Sequence, residues 1–330
     1  MDTDFSPLHE QMIVVDGHCD TILELYHKKR SFWDYNKEGH LDWPRLQAGK
    51  VNLQFFAFYI EPEYKPSGAL SRVLELLAYF QDIRQDRKDK LSLILSREDI
   101  TKLHPHTASA LLAIEGGEVL EGKVSALRFL FQLGFRSMTL TWNQRNQLAD
   151  GAWEKENKGG LTVLGRQVVQ EMNTLGMLID VSHLNEAGFW DVLSRTQRPV
   201  AATHSCCRAL KEHPRNLSND QLRALRDNGG IIGINFYPDF LGQTPCTLLR
   251  VAEHLEHAAS IAGIDHVGLG SDFDGISLTP QGLSSAADFP HLTEVLVKRG
   301  WKQEEVAKAM GGNFIRVLQN VLPQSQTLQN

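Results

Sequence analysis

The sequence predicts an α/β fold, a (β/α)8 barrel forming a single domain over residues 1–330, on three observations. Short apolar runs recur along the whole chain, amphipathic stretches separate them, and no Gly- or Ser-rich linker interrupts the alternation. The eight runs are 13–15, 51–60, 110–114, 136–141, 177–181, 199–203, 230–237 and 266–270, each too brief for a buried helix. The intervening stretches 67–87, 161–175, 185–195, 218–227 and 248–262 read as helices, and two more come after the last strand. Ser218 with Gln221 three residues on is a capping-box signature at a helix start, and Gly229-Gly230 is a stop. Eight parallel strands with crossover helices suit 330 residues better than a doubly wound sheet, the main rival being two α/β domains.

Charge and length narrow the function. With 34 basic against 40 acidic side chains, a net charge of −6, nothing offers the basic excess that a phosphate backbone needs, so no nucleic-acid partner is expected. No stretch reaches the roughly 18 apolar residues of a membrane span, and MDTDFSPLHE lacks a basic-then-apolar signal. The expectation is a cytoplasmic protein with no membrane partner. Cys19, Cys206, Cys207 and Cys246 form no CxxC and read as reduced thiols. The mixed charges of residues 81–90 read as a solvated helix end.

In a barrel the chemistry sits at the carboxyl ends of the strands, so the residues just past each apolar run matter most. IVVDGHCDT ends in His18 and Asp20, ALLAIEGG in Glu115, MLIDVSH in His183, PVAATHS in His204 and HVGLGSD in Asp272. Singly, each is more readily a hydrogen-bonded loop residue or a helix cap. Jointly, those explanations would all have to coincide on one barrel face. Neutral imidazole and hard carboxylate oxygen are the donor mix suited to zinc or a similar divalent ion. His18 and Asp20, two apart on an extended strand, point to the same side, with Cys19 pointing away. The donors exceed what one tetrahedral ion takes, and two ions sharing Glu115 is the economical solution.

Other histidines read as bystanders. His104-Pro105-His106 lies before a strand, on the opposite barrel face, and His254 and His257 sit on a presumed surface helix as solvated side chains. His9, His27, His40, His213, His266 and His291 show no partner pattern. Gly311-Gly312-Asn313-Phe314 lacks a P-loop's Lys-Ser/Thr and reads as a helix-entry turn, and no GxSxG elbow is present.

VDGHCDT, AIEGG, LTWNQRNQLADG, IDVSH, ATHSCCRAL, HPRNLSND, GSDFDG and GGNFIRVL, in that order over nearly the whole chain, resemble the membrane dipeptidase (renal dipeptidase) family of the amidohydrolase superfamily. The resemblance implies a two-zinc barrel that hydrolyses dipeptides, including some with a D-residue at the carboxyl end. Motif by motif, it implies that His18, Asp20 and Glu115 hold one zinc and Glu115, His183 and His204 the other. It gives Asp272 the handling of protons and of the substrate amine, and Arg215 the substrate carboxylate. Many animal members carry histidine after LT, where it helps polarise the scissile carbonyl; here Trp142 stands there. Asn143 or Asn146 is left to donate that hydrogen bond, unless the metals carry the whole oxyanion charge. Animal members are secreted and lipid-anchored, so the chain is more similar to the soluble bacterial branch.

The expected partner is therefore a small dipeptide, with a homodimer as the assembly to test. Asp274 competes with Asp272 for the proton role. Hydrolysis of N-acyl amino acids, cyclic amides or lactones is the alternative chemistry at the same metals, and a non-catalytic metal-binding barrel is the alternative class.

Overall fold

Strands buried on both faces carry apolar runs, and eight such segments with one short outer strand share one parallel sheet in this computed structural model, which describes residues 6–325 apart from 66, 107, 155, 157, 158 and 243. They are β1 (Val14–Cys19), β2 (Val51–Tyr59), β3 (Leu91–Leu93), β4 (Ala108–Glu115), β5 (Phe135–Thr139), β6 (Leu178–Asp180), β7 (Ala201–Ser205), β8 (Ile231–Ile234) and β9 (Val267–Leu269). Eight of them close a ring: β1 pairs with β2 and β9, the order runs back through β8, β7, β6, β5 and β4, and β4 pairs with β2. The closed barrel expected from the alternation is therefore observed. The ninth, β3, lies outside the ring on the start of β4. Its LSL is too short and too polar at Ser92 to stand out as an apolar run.

The barrel is filled from within and plugged from below. Val15, Leu53, Phe55, Leu111 and Ala113 point inward and pack on Phe314, Val317 and Leu318 of the helix Asn313–Val321. A Cβ on Gly17 would lie 2.6 Å from the Phe314 ring, and one on Gly268 2.8 Å from it. Both are closer than packed carbon atoms tolerate, so glycine at these two positions is what admits the aromatic floor. GGNF is no entry turn: Lys308–Gly312 forms a π-helical turn continuous with that helix, and Asn313 donates to the carbonyls of Ile264 and Val267. With the lower end sealed, the open mouth lies at the strands' carboxyl ends.

Most helices fall where periodicity places them: Ala69–Arg84, Val163–Leu175, Glu186–Leu193, Asn219–Asn228 and Leu248–Ala262. Ser218 accepts from the Gln221 amide (3.2 Å), Gln221 accepts from the Ser218 amide (2.9 Å), and Gly229 ends the helix at φ +77°. The charged stretch 81–90 does close a helix, at Arg84, before a 3-10 turn. His254 overturns its reading as a solvated side chain. It is buried, accepts from the Cys207 amide through Nδ1 (3.1 Å) and donates from Nε2 to the Leu241 carbonyl (3.1 Å). His9 is likewise buried, between Thr293 and the Gly49 carbonyl. Among the described residues no helix is long and apolar enough to cross a membrane.

Candidate active site

The strand ends deliver the predicted side chains to one place. His18 lies on β1, Asp20 directly after it, Glu115 ends β4, His204 lies on β7, and His183, Arg215 and Asp272 come after β6, β7 and β9. Asp20 occupies the N-cap position of the helix Thr21–Lys28 but makes no capping hydrogen bond, which leaves its carboxylate to the cluster. Cys19 points away into the apolar layer. His183 and Asp272 adopt left-handed backbone, φ +67° and +63°. That conformation is costly for residues with a Cβ and is held here by the surrounding structure.

Glu115 is the hub. Its Oε1 lies 2.9 Å from His183 Nε2 and 3.6 Å from His204 Nε2, while its Oε2 lies 3.7 Å from His18 Nε2. His18 Nε2 is 3.4 Å from Asp20 and 3.9 Å from Asp272. Burial opposes a charge on His18, but Glu115, Asp20 and Asp272 outweigh it and lift its pKa to about 10. Burial, reinforced by the charge of Asp20, pushes Glu115 up to about 8. The same burial, opposed by His18, raises Asp272 to about 6. Without cations, the cluster thus keeps protons that isolated carboxylates would release. Burial drives His183 and His204 far down, so both stay neutral.

The donor set tests whether metal ions fit. His183 Nδ1 donates to Asn143 Oδ1 (2.8 Å). Thr203 Oγ1 gives its own hydrogen to Asp180, so its oxygen accepts from His204 Nδ1 (2.9 Å). Both rings therefore carry their proton on Nδ1, and their Nε2 lone pairs face each other at 2.8 Å. His18 Nε2 is buried with no hydrogen-bond partner. Facing lone pairs repel unless a cation takes them, and an orphaned buried nitrogen is costly unless it is a ligand. The residues fit a divalent metal centre.

Above the cluster opens a cleft of about 610 Å³ lined by Arg215, Asp272, Tyr59, Trp142 and Trp153, among others. Arg215 is buried, not the exposed charge its position after a proline suggests. It donates to the His204 carbonyl (3.0 Å) and leaves Nε without a partner. Asn235 donates to Asp272 Oδ2 (2.8 Å), leaving Oδ1 toward His18. Asp274 is no rival, because Thr21 Oγ1 and the His40 amide each donate to it at 2.7 Å and its side chain is fully buried. Asn143 lines the cleft and spends only its Oδ1 on His183, which leaves its Nδ2 amide for a substrate carbonyl. Asn146 donates to the Leu140 carbonyl and accepts from the Leu148 and Ala149 amides, so it is unavailable to a substrate carbonyl.

This geometry has a counterpart in a known family: a model described as Membrane dipeptidase (Peptidase family M19) matches residues 3–330. The chain belongs to that family. Like other members it is a hydrolase acting on peptide bonds. A dipeptidase of Aspergillus oryzae, aclJ, is 33% identical over 96% of this chain and 80% of its own length. The dipeptidase tcpJ of Claviceps purpurea is 31% identical over 93% of this chain and 76% of its own. A crystal structure of a metallo peptidase from Rhodobacter sphaeroides, liganded with a phosphinate mimic of the dipeptide L-Ala-D-Ala, superposes with a TM-score of 0.87 at 28% identity. That match covers 94% of this chain and 99% of the other.

Family motifs marked the cluster, but not the residues that aim it. Asn235 lies outside those motifs, and Asp16 and Asp180 lie inside VDGHCDT and IDVSH without a role of their own. Asp16 accepts from Gln54 (2.9 Å) and from the Ser271 amide and hydroxyl (2.7 and 2.6 Å), tying β1 to β2 and to the segment after β9. The available signal was a carboxylate inside an apolar run, in IVVDG and again in MLIDV.

Proposed function

We propose that the chain is a zinc-dependent dipeptidase, acting on L,L and L,D dipeptides, with His18, Asp20 and Glu115 holding one ion and Glu115, His183 and His204 the second. The observation that carries this reading is the division of Glu115, one oxygen toward His183 and His204 and the other toward His18. When bound, two such ions supply Lewis-acid polarisation of the peptide carbonyl and make water a competent nucleophile near neutral pH.

The chain's own residues do the rest. Arg215, held by the His204 carbonyl through Nη2 and by Ser205 Oγ through Nη1, offers its unpartnered Nε–H and the remaining N–H beside it to the substrate's terminal carboxylate, which favours dipeptides over longer chains. Asp272 Oδ1, freed by Asn235 on the other oxygen, accepts the proton of the attacking water as the C–O bond forms. It returns that proton to the leaving nitrogen as the C–N bond breaks. The four buried, unpaired thiols fit a reducing compartment, and the cytoplasm is the proposed location. Measuring zinc per chain together with cleavage of L-Ala-L-Ala and L-Ala-D-Ala tests the reading. Two ions and turnover are expected; one ion, or cleavage of N-acyl amino acids alone, would overturn it.

A further inference from the structure

The cleft has an aromatic side that the reaction does not use. Trp142 stands 5.2 Å from Tyr59, 5.3 Å from Trp153 and 6.0 Å, stacked, from His183, measured between ring centres. Trp153 is half exposed and lines the cleft. The wall is fixed from behind: Lys65 Nζ lies 5.0 Å from the Tyr59 ring and 5.6 Å from the Trp142 ring, and 3.4 Å from Glu118.

Topology says which half of a dipeptide meets this wall. In the ring order β1, β2, β4, β5, β6, β7, β8, β9, the end of β2 lies across the mouth from that of β7. Arg215 comes after β7, Tyr59 ends β2 beside Glu115, and both tryptophans come after β5. A dipeptide held by its carboxylate at Arg215 and by its peptide bond at the metal ligands therefore extends its amino-terminal residue toward the wall.

Resting on the dipeptidase reading above, we propose that Trp153 and Trp142, backed by Tyr59, form a specificity-determining subsite for an aromatic or large apolar side chain on the substrate's amino-terminal residue. Ring against ring favours such a side chain over a methyl group. Lys65 already covers one face each of Tyr59 and Trp142, which disfavours a second cation beside it.

The test compares kcat/KM of the zinc-loaded enzyme for L-Phe-L-Ala, L-Lys-L-Ala, L-Ala-L-Phe and L-Ala-L-Ala, in the wild type, Trp153→Ala and Trp153→Phe. The wild type should prefer Phe-Ala to Ala-Ala by about tenfold and Phe-Ala to Lys-Ala by at least as much. Trp153→Ala should bring the Phe-Ala to Ala-Ala ratio near one, leave the Ala-Phe to Ala-Ala ratio as it was, and Trp153→Phe should restore most of the preference. Cleavage with no Phe-Ala preference, or a preference that survives Trp153→Ala, overturns the subsite alone. Collapse of the Ala-Phe ratio instead overturns its assignment to the amino-terminal residue. Failure of the wild type to cleave any of the four removes the dipeptidase reading, and this inference with it.

Discussion

Two aspartates in GSDFDG differ in chemistry because of what each carboxylate touches. Asp274 is tied to Thr21 and His40 and anchors the loop, whereas Asp272 has one oxygen held by Asn235 and the other toward the cluster. Asp272→Asn should therefore lower kcat roughly 10²- to 10⁴-fold while zinc per chain, read by atomic absorption, stays unchanged. Arg215→Ala should act differently, raising KM with a smaller loss in kcat, because the interaction it removes is already present in the bound substrate. Asn143 lines the cleft beside His183. By accepting from His183 Nδ1 it fixes which ring nitrogen faces the centre. Asn143→Ala should weaken zinc binding about 10- to 100-fold in a chelator competition, and Asn143→Asp, which keeps an acceptor, should restore most of it.

At the scale of elements, the ring strands were legible because burial on both faces leaves an apolar run, and the helices because one face repeats. The exceptions have physical causes. β3 contributes three residues to the sheet and almost nothing to an apolar signal. His254 was hidden by its spacing from His257, which suggests a pair on a solvated face. On the helix Leu248–Ala262 the buried positions Val251, His254, Leu255, Ala258 and Ala262 keep to the helical period, so His254 belongs to the core stripe. Burial depresses its pKa from 6.5 to about 4. The unfolded chain then binds more protons than the folded one between those values, and stability falls as pH drops through that window, by up to about 3 kcal/mol. Urea unfolding at pH 7 and pH 4.5 should show this loss in the wild type. His254→Gln should be less stable at pH 7 and lose less on acidification; equal acid losses would assign the effect elsewhere.

For the molecule as a whole, the fold gathers groups that the sequence keeps far apart, and this explains what could be read and what could not. The five proposed metal ligands were legible because each ends an apolar run within a compact motif. Trp142 stood out in the sequence, but its union with Tyr59 and Trp153, like the Asp274–His40 anchor, did not, because the members come from different segments and meet only when the chain folds. Closure also concentrates titrating groups at one end, with consequences for global stability. In protein stripped of metal, the raised pKa values of His18, about 10, and Glu115, about 8, mean that the folded state holds protons the unfolded chain has released. Their contribution to stability is present below their unfolded values and is lost as pH rises through about 8 to 10. His183 and His204, depressed by burial, act in the opposite sense, and their contribution is lost as pH falls below about 6.5. The stripped protein should accordingly show a narrow stability maximum near neutrality, with its melting temperature declining on both sides. Zinc needs the deprotonated ligands, so its binding releases protons and tightens with rising pH, which stabilises the fold most on the alkaline side. Calorimetric melting from pH 6 to pH 9 should show the zinc-loaded and stripped curves diverging toward alkaline pH. Parallel curves would mean that these side chains do not bind the ions as a group.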